Sequence, residues 1–126
     1  MAAARDRLEA ASLTPQERRV LESLVVRLEE ELGDDLRSVW LYGSRARQEP
    51  VASEGSDVDV LVIARGASRA LDRRVQDLLH DVAEGSSWIW FSVVLRDPDW
   101  LAGRRAIGSF FVQEIDRDKI VLAGEP

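Results

Sequence analysis

The stretch that decides the fold is Val39 to Ala64, VWLYGSRARQEPVASEGSDVDVLVIA. It reads as a strand, a Gly-Ser turn, a loop, and a second strand that carries Asp57 and Asp59 two residues apart. In the first strand, residues 37 to 42, Val39 and Leu41 alternate with Trp40 and Tyr42, so both faces are apolar and expected to be covered. Gly43-Ser44 interrupts it. Residues 45 to 55 contain Pro50, Ser53 and Gly55 with little periodicity, so one turn of helix at most is expected before a loop. Ser56 to Ala64 then alternates Val58, Val60 and Val62 against Asp57, Asp59, Leu61 and Ile63.

Residues two apart on a strand share a face, with Cα atoms about 6.5–7 Å apart. Asp57 and Asp59 can therefore share a divalent cation or bracket a pair of them. Solvated aspartates on a surface strand are the alternative. Aspartate is disfavoured in strands, and two like charges on one face of a core-like strand cost stability unless a cation compensates. Their place at the strand's start, where water can reach, softens that contrast. Gly43 allows a positive φ or a close approach to a ligand. Ser44 offers a hydroxyl and a backbone N–H as an anion seat, and Arg45 and Arg47 add charge within reach. An ordinary turn with surface arginines would carry the same residues.

Outward from this stretch, the chain reads as one domain over its 126 residues. Residues 1 to 12 are charged and Ala-rich and are expected to be helical or frayed. Thr14-Pro15-Gln16-Glu17 has the form of a capping box with proline at the first helical position. Leu21, Leu24, Val25, Leu28 and Leu32 follow at helical spacing, and Gly33 is expected to end the helix as a left-handed cap. A second amphipathic helix spans 69 to 84 after Ser68, with Leu71, Val75, Leu78, Leu79 and Val82 inward. Trp88 to Leu95 is a third strand. Asp97-Pro98 is a turn and helix entry, helices follow at 100 to 107 and 109 to 115, and Lys119 to Leu122 is a short edge strand. The order gives an α/β fold, a small mixed sheet flanked by helices.

Composition narrows the chemistry. There is no cysteine and one histidine, His80, so thiolate sites and histidine-rich zinc sites are excluded. A metal would need oxygen ligands, which favours Mg²⁺, Mn²⁺ or Ca²⁺. A net charge of −6 argues against a protein that grips nucleic-acid backbone, yet it permits one nucleotide held through a metal. The start lacks the apolar region of a signal peptide, and no apolar run approaches a membrane span. A cytoplasmic protein with no membrane partner is expected. His80 reads as an exposed helix residue. Trp40, Trp88, Trp90, Trp100 and Tyr42 read as core rather than as base-stacking groups.

Together, Gly43-Ser44, a twelve-residue spacer and Asp57-Val58-Asp59 resemble the minimal nucleotidyltransferases (MNT family) of the DNA polymerase β superfamily. The apolar LYGSRAR strand, the DVLV continuation and the closing IDRDKIVLAGEP are similar as well, so the resemblance spans residues 15 to 125. It implies a polymerase β-like nucleotidyltransferase fold and Mg²⁺-dependent transfer of a nucleoside monophosphate, AMP from ATP, onto a hydroxyl. It implies Asp57 and Asp59 as catalytic residues and metal ligands, in a two-metal arrangement that Mn²⁺ could also fill. Gly43 and Ser44 would hold the phosphates, and Arg45 or Arg47 would offset the leaving pyrophosphate's charge. Many small members pair with a helical HEPN-type protein in toxin–antitoxin systems, so such a partner is implied beside the nucleoside triphosphate. Active members often carry a third carboxylate on the third strand. Here that strand has none, and Ser92, with Trp90 next, is the residue that aligns with its place, which leaves a catalytically degenerate nucleotide-binding or antitoxin scaffold as the alternative.

Overall fold

In the computed structural model, residues 11–47, 57–83 and 91–126 are described. The first helix, α1 (Pro15–Leu32), begins as its sequence dictates. The Thr14 amide donates to Glu17 Oε1 at 2.9 Å, and the Glu17 amide donates to Thr14 Oγ1 at 3.1 Å. Its inward stripe comprises Val20, Leu21, Leu24, Val25, Leu28 and Leu32, all buried. Gly33 has the expected positive φ of 53°, but its ψ of −128° lies outside the left-handed helical region. The chain leaves instead through a 3₁₀ turn, Gly33–Asp35, which leads directly into β1 (Leu36–Tyr42).

The remaining elements are β2 (Val58–Ala64), α2 (Arg69–Ala83), β3 (Phe91–Arg96), α3 (Pro98–Ala106), α4 (Phe110–Asp118) and β4 (Ile120–Gly124). Ser68 caps α2, its hydroxyl accepting from the Leu71 amide at 3.1 Å. Asp97 caps α3, accepting from the Trp100 amide at 2.7 Å, and Pro98 sits at the first helical position. This helix therefore starts two residues earlier than the apolar pattern alone suggested. The strand expectations at residues 56 and 88 to 90, including Trp88 and Trp90, lie outside the described residues, as do those for 1 to 10 and 48 to 55.

The sheet has four strands in the order β3-β2-β1-β4. β1 is antiparallel to both β2 and β4, and β2 is parallel to β3. The mixed sheet and the edge position of β4 are as the sequence predicts. Alternation then sorts the side chains. Val39, Leu41, Val58, Val60, Val62, Phe91, Val93 and Leu95 join α1 and α2 in one large core. Trp40, Leu61 and Ile63 face the other way and join Leu101 of α3 with Val112 and Ile115 of α4. Trp40 is fully buried, its indole N–H donating to the Glu125 carbonyl at 2.8 Å. Lys119 Nζ lies 3.9 Å from its ring centroid, and Asp116 bonds both Lys119 and Arg105 at 2.7 Å. Among the described residues, no helix is long and apolar enough to cross a membrane.

Candidate functional site

The register of β1 against β2 brings together the two motifs that the sequence separates. Tyr42, the last residue of β1, pairs with Asp59. The next residue, Gly43, has φ 77° and lies against the Asp59 side chain: a Cβ built there would stand 2.6 Å from Asp59 Oδ2. The backbone angle favours glycine at this point, and a side chain there would displace the Asp59 carboxyl. The Gly43 carbonyl then accepts from the Ala46 and Arg47 amides at 3.1 and 3.2 Å. The chain thus makes one helical turn over residues 43 to 47, as expected, with Ser44 at its start.

Asp57 is exposed and sits one residue ahead of β2, whereas Asp59 is on the strand and partly buried. The strand therefore starts later than the alternation suggested, and the first aspartate stands in the wet approach to it. Burial pushes the Asp59 carboxyl above its usual range, and the neighbouring charge of Asp57 pushes it further. Arg45 and Arg47 act in the opposite direction. On the next strand, Ser92 pairs with Asp59 and is partly exposed. The serine thus occupies the place beside Asp59 where the sequence resemblance implies a third carboxylate.

The two arginines of the turn have different surroundings. Arg45 is buried, with Nη1 2.7 Å from Glu17 Oε1 and 3.1 Å from the Ser12 carbonyl. Its own carbonyl accepts from the Ser12 amide at 2.9 Å. Burial pushes the Glu17 carboxyl up, but hydrogen bonds from Arg45 and Thr14, with the Arg45 charge, outweigh it and hold the group below its usual value. One glutamate therefore both closes the start of α1 and anchors the Gly-Ser turn. Arg47 is farther out, its side chain 40% exposed and 4.0 Å from Asp118.

Above Asp59 on the same face lies an aromatic pair missed by the sequence reading. The Tyr42 and Phe111 rings meet edge to face, with centroids 5.9 Å apart and planes at 89°. Burial, then the charge of Asp59, raise the Tyr42 hydroxyl above its usual value, against an opposing effect from Arg96. The signal for this pair was Phe110-Phe111, two aromatics in a helix where Val112 and Ile115 already supply the inward positions. Trp40 is too deeply buried to touch a ligand, and His80 is exposed on α2 as expected.

Among the described residues, no three His, Asp or Glu side chains stand close enough to hold a metal between them. Two carboxylates still suit Mg²⁺, which keeps several waters and takes its other ligands from substrate phosphates. The fit rests on the donor set itself: an exposed Asp57 and a partly buried Asp59, two residues apart, supply the oxygen ligands that such a cation takes. A groove of about 510 Å³ lies elsewhere, along the outer edge of β3 between Gln76, Val93 and Trp100. Two of its polar groups are engaged inside the fold, Gln76 with the Val93 carbonyl and Asp97 as a helix cap.

No protein-family model matches the sequence. No curated protein matches it either. Among solved structures, a chain of a toxin–antitoxin complex crystallised with AMP-PNP matches with a TM-score of 0.53 and 16% identity, over 82% of this chain and 73% of the other. A chain of the toxin–antitoxin pair MntA–HpeT, in a mutant with two Asp-to-Glu changes at positions two apart, gives a TM-score of 0.51 and 17% identity over the same shares. Strand order, flanking helices and these likenesses agree that the chain has the polymerase β-like nucleotidyltransferase fold.

Proposed function

We propose that this protein is a cytoplasmic nucleotidyltransferase that moves AMP from ATP onto a hydroxyl of a partner protein, a helical HEPN-type toxin. The observation that carries this reading is the closeness of Gly43 to the Asp59 carboxylate, which supports taking the Gly-Ser turn and the aspartate pair as one site. The similar structures support it in two ways. One was crystallised with AMP-PNP, and another was altered at two aspartates with the spacing of Asp57 and Asp59.

In this reading Asp57 and Asp59 hold Mg²⁺, alone or as a pair of ions, and Mn²⁺ can replace it. The bound metal supplies charge neutralisation at the triphosphate and lowers the cost of ionising the attacking hydroxyl. Ser44 and the Gly43 backbone seat the β- and γ-phosphates. Arg47, exposed at the end of the turn, offsets charge on the departing pyrophosphate. Arg45 contributes at longer range, its guanidinium bonded to Glu17 while its charge reaches Asp59. The acceptor oxygen bonds to the α-phosphorus, the bond to the β-phosphate oxygen breaks, and the acceptor proton passes to solvent. Ser92 is no base for that proton. General-base help is worth about 10²–10⁴-fold, so turnover is expected to be slow.

The test is to incubate the purified protein with Mg²⁺, labelled ATP and the co-encoded partner. Label should pass to the partner, and Asp57→Ala with Asp59→Ala should abolish it. No transfer from any of the four nucleoside triphosphates would overturn the enzymatic reading. The pairing of Ser92 with Asp59 favours a second reading, a scaffold that binds nucleotide and masks its partner without turnover. In that case the double aspartate variant would still neutralise the partner.

A further inference from the structure

Ile107, Phe110 and Phe111 are the exposed large apolar side chains among the described residues, at 74%, 75% and 49% exposure. They sit together at the corner where α3 passes into α4. Packing does not require them there, because Leu101, Val112 and Ile115 already fill the core beneath. Phe111 differs from the other two in its position. Its ring meets Tyr42, and Tyr42 is both the residue before Gly43-Ser44 and the cross-strand partner of Asp59. Cross-strand partners have Cβ atoms about 4.5–5.5 Å apart. The Phe111 ring centroid lies 5.9 Å from that of Tyr42, so the aromatic pair stands on the face of Asp59 and next to the Gly-Ser turn. Because the planes cross at 89°, the rings do not cover each other. A flat base can lie on one ring while the other closes its side.

We propose that Phe111, braced by Tyr42, is the stacking platform for the nucleobase of the bound nucleotide. The inference rests on the nucleotide-site reading above and adds to it the residue that holds the base. A stacking surface reads no base edge, so all four nucleoside triphosphates should benefit alike. Preference for ATP would then arise elsewhere. Phe110, on the same corner, is not part of the Tyr42–Phe111 ring pair and should take no part.

The test compares two probes, ATP and inorganic tripolyphosphate, each titrated with Mg²⁺ into the wild-type protein, Phe111→Ala, Phe111→Trp and Phe110→Ala. Stacking on one aromatic is worth about 1–3 kcal/mol, so Phe111→Ala should weaken ATP about 5- to 150-fold. Tripolyphosphate, which has no base, should bind Phe111→Ala as it binds wild type. Phe111→Trp should hold ATP at least as well as wild type, and Phe110→Ala should change neither ligand. Equal weakening of both probes by Phe111→Ala would mean that the ring only supports the fold of the site, and would overturn the proposal. Unchanged ATP affinity would overturn it too, and loss of a protein partner in that variant would assign the corner to protein docking. If wild type binds tripolyphosphate but gains nothing from the nucleoside, the platform fails while the phosphate seat stands. If wild type binds neither probe, the nucleotide reading itself falls, and this proposal with it.

Discussion

The two faces of the sheet are built for different tasks. On the face covered by α1 and α2, the side chains of the central strands are aliphatic and closed to water: Val39, Leu41, Val58, Val60 and Val62 are all at 0% exposure. On the other face, Leu61 and Ile63 are buried under α3 and α4, but the same strand opens at Asp59, beside Tyr42 and Ser92. Neighbours in sequence thus have opposite fates. Val60 serves the packed side and Asp59 the open one. One fully committed face lets the fold carry a crowded carboxylate pair on the other, since marginal stability leaves little room for both faces to be strained.

Substitution at these two neighbours should break the symmetry of the strand most visibly. Val60→Asp places an unpaired charge in the large core and removes packing, a combination expected to cost more than about 4 kcal/mol. Urea denaturation should show no cooperative native transition, or a midpoint far below wild type. The Arg45–Glu17 pair, which ties the Gly-Ser turn to the packed side, should come next. Arg45→Ala leaves the Glu17 carboxylate with 13% side-chain exposure and without that cation, a change of about 3 kcal/mol. Its dependence on pH has a definite sign. The folded Glu17 value is depressed, so its contribution is complete above the ordinary carboxylate range and is lost as pH falls through the depressed value. Wild type and Arg45→Ala should therefore converge in stability in acid, when both are melted across a pH series.

Asp59→Asn should act in the opposite direction and be the smallest of the three. A carboxyl held above its usual value disfavours the folded state at neutral pH, and that cost fades as pH falls through the raised value and is gone below the ordinary carboxylate range. Removing the charge should raise the melting temperature at pH 7 by about 1–4 °C and leave it unchanged in acid. Greater stability with lost ligand binding is the signature of a site kept at a cost to the fold. A drop in melting temperature at pH 7 would show instead that Asp59 is a structural residue.

What was legible in the sequence was what is local. The Thr14-Glu17 capping box, the alternation in β1 and β2 and the helix starts at Ser68 and Asp97 are written within a few residues of one another, and the structure has each of them. The meeting of Gly43 with Asp59 was legible only as a resemblance, because it depends on strand register over a sixteen-residue separation. The partnership of Arg45 with Glu17 and of Tyr42 with Phe111 was not legible. Each joins distant segments across a fold whose layering the local pattern does not fix, and arginine or phenylalanine alone does not name its partner. Gly33 shows the same limit on a smaller scale. Its positive φ was readable from the residue type, but the 3₁₀ exit follows from where β1 must begin.

Asp57, Asp59 and the Gly43-Ser44 turn are proposed to form one metal-dependent triphosphate site. Calorimetric titration of ATP into the protein, with Mg²⁺ and with chelator, tests it most directly. Binding should require Mg²⁺ and be lost in both Asp57→Asn and Asp59→Asn, while both variants melt no lower than wild type. Binding of equal strength without Mg²⁺, or undiminished in the two asparagine variants, would contradict it.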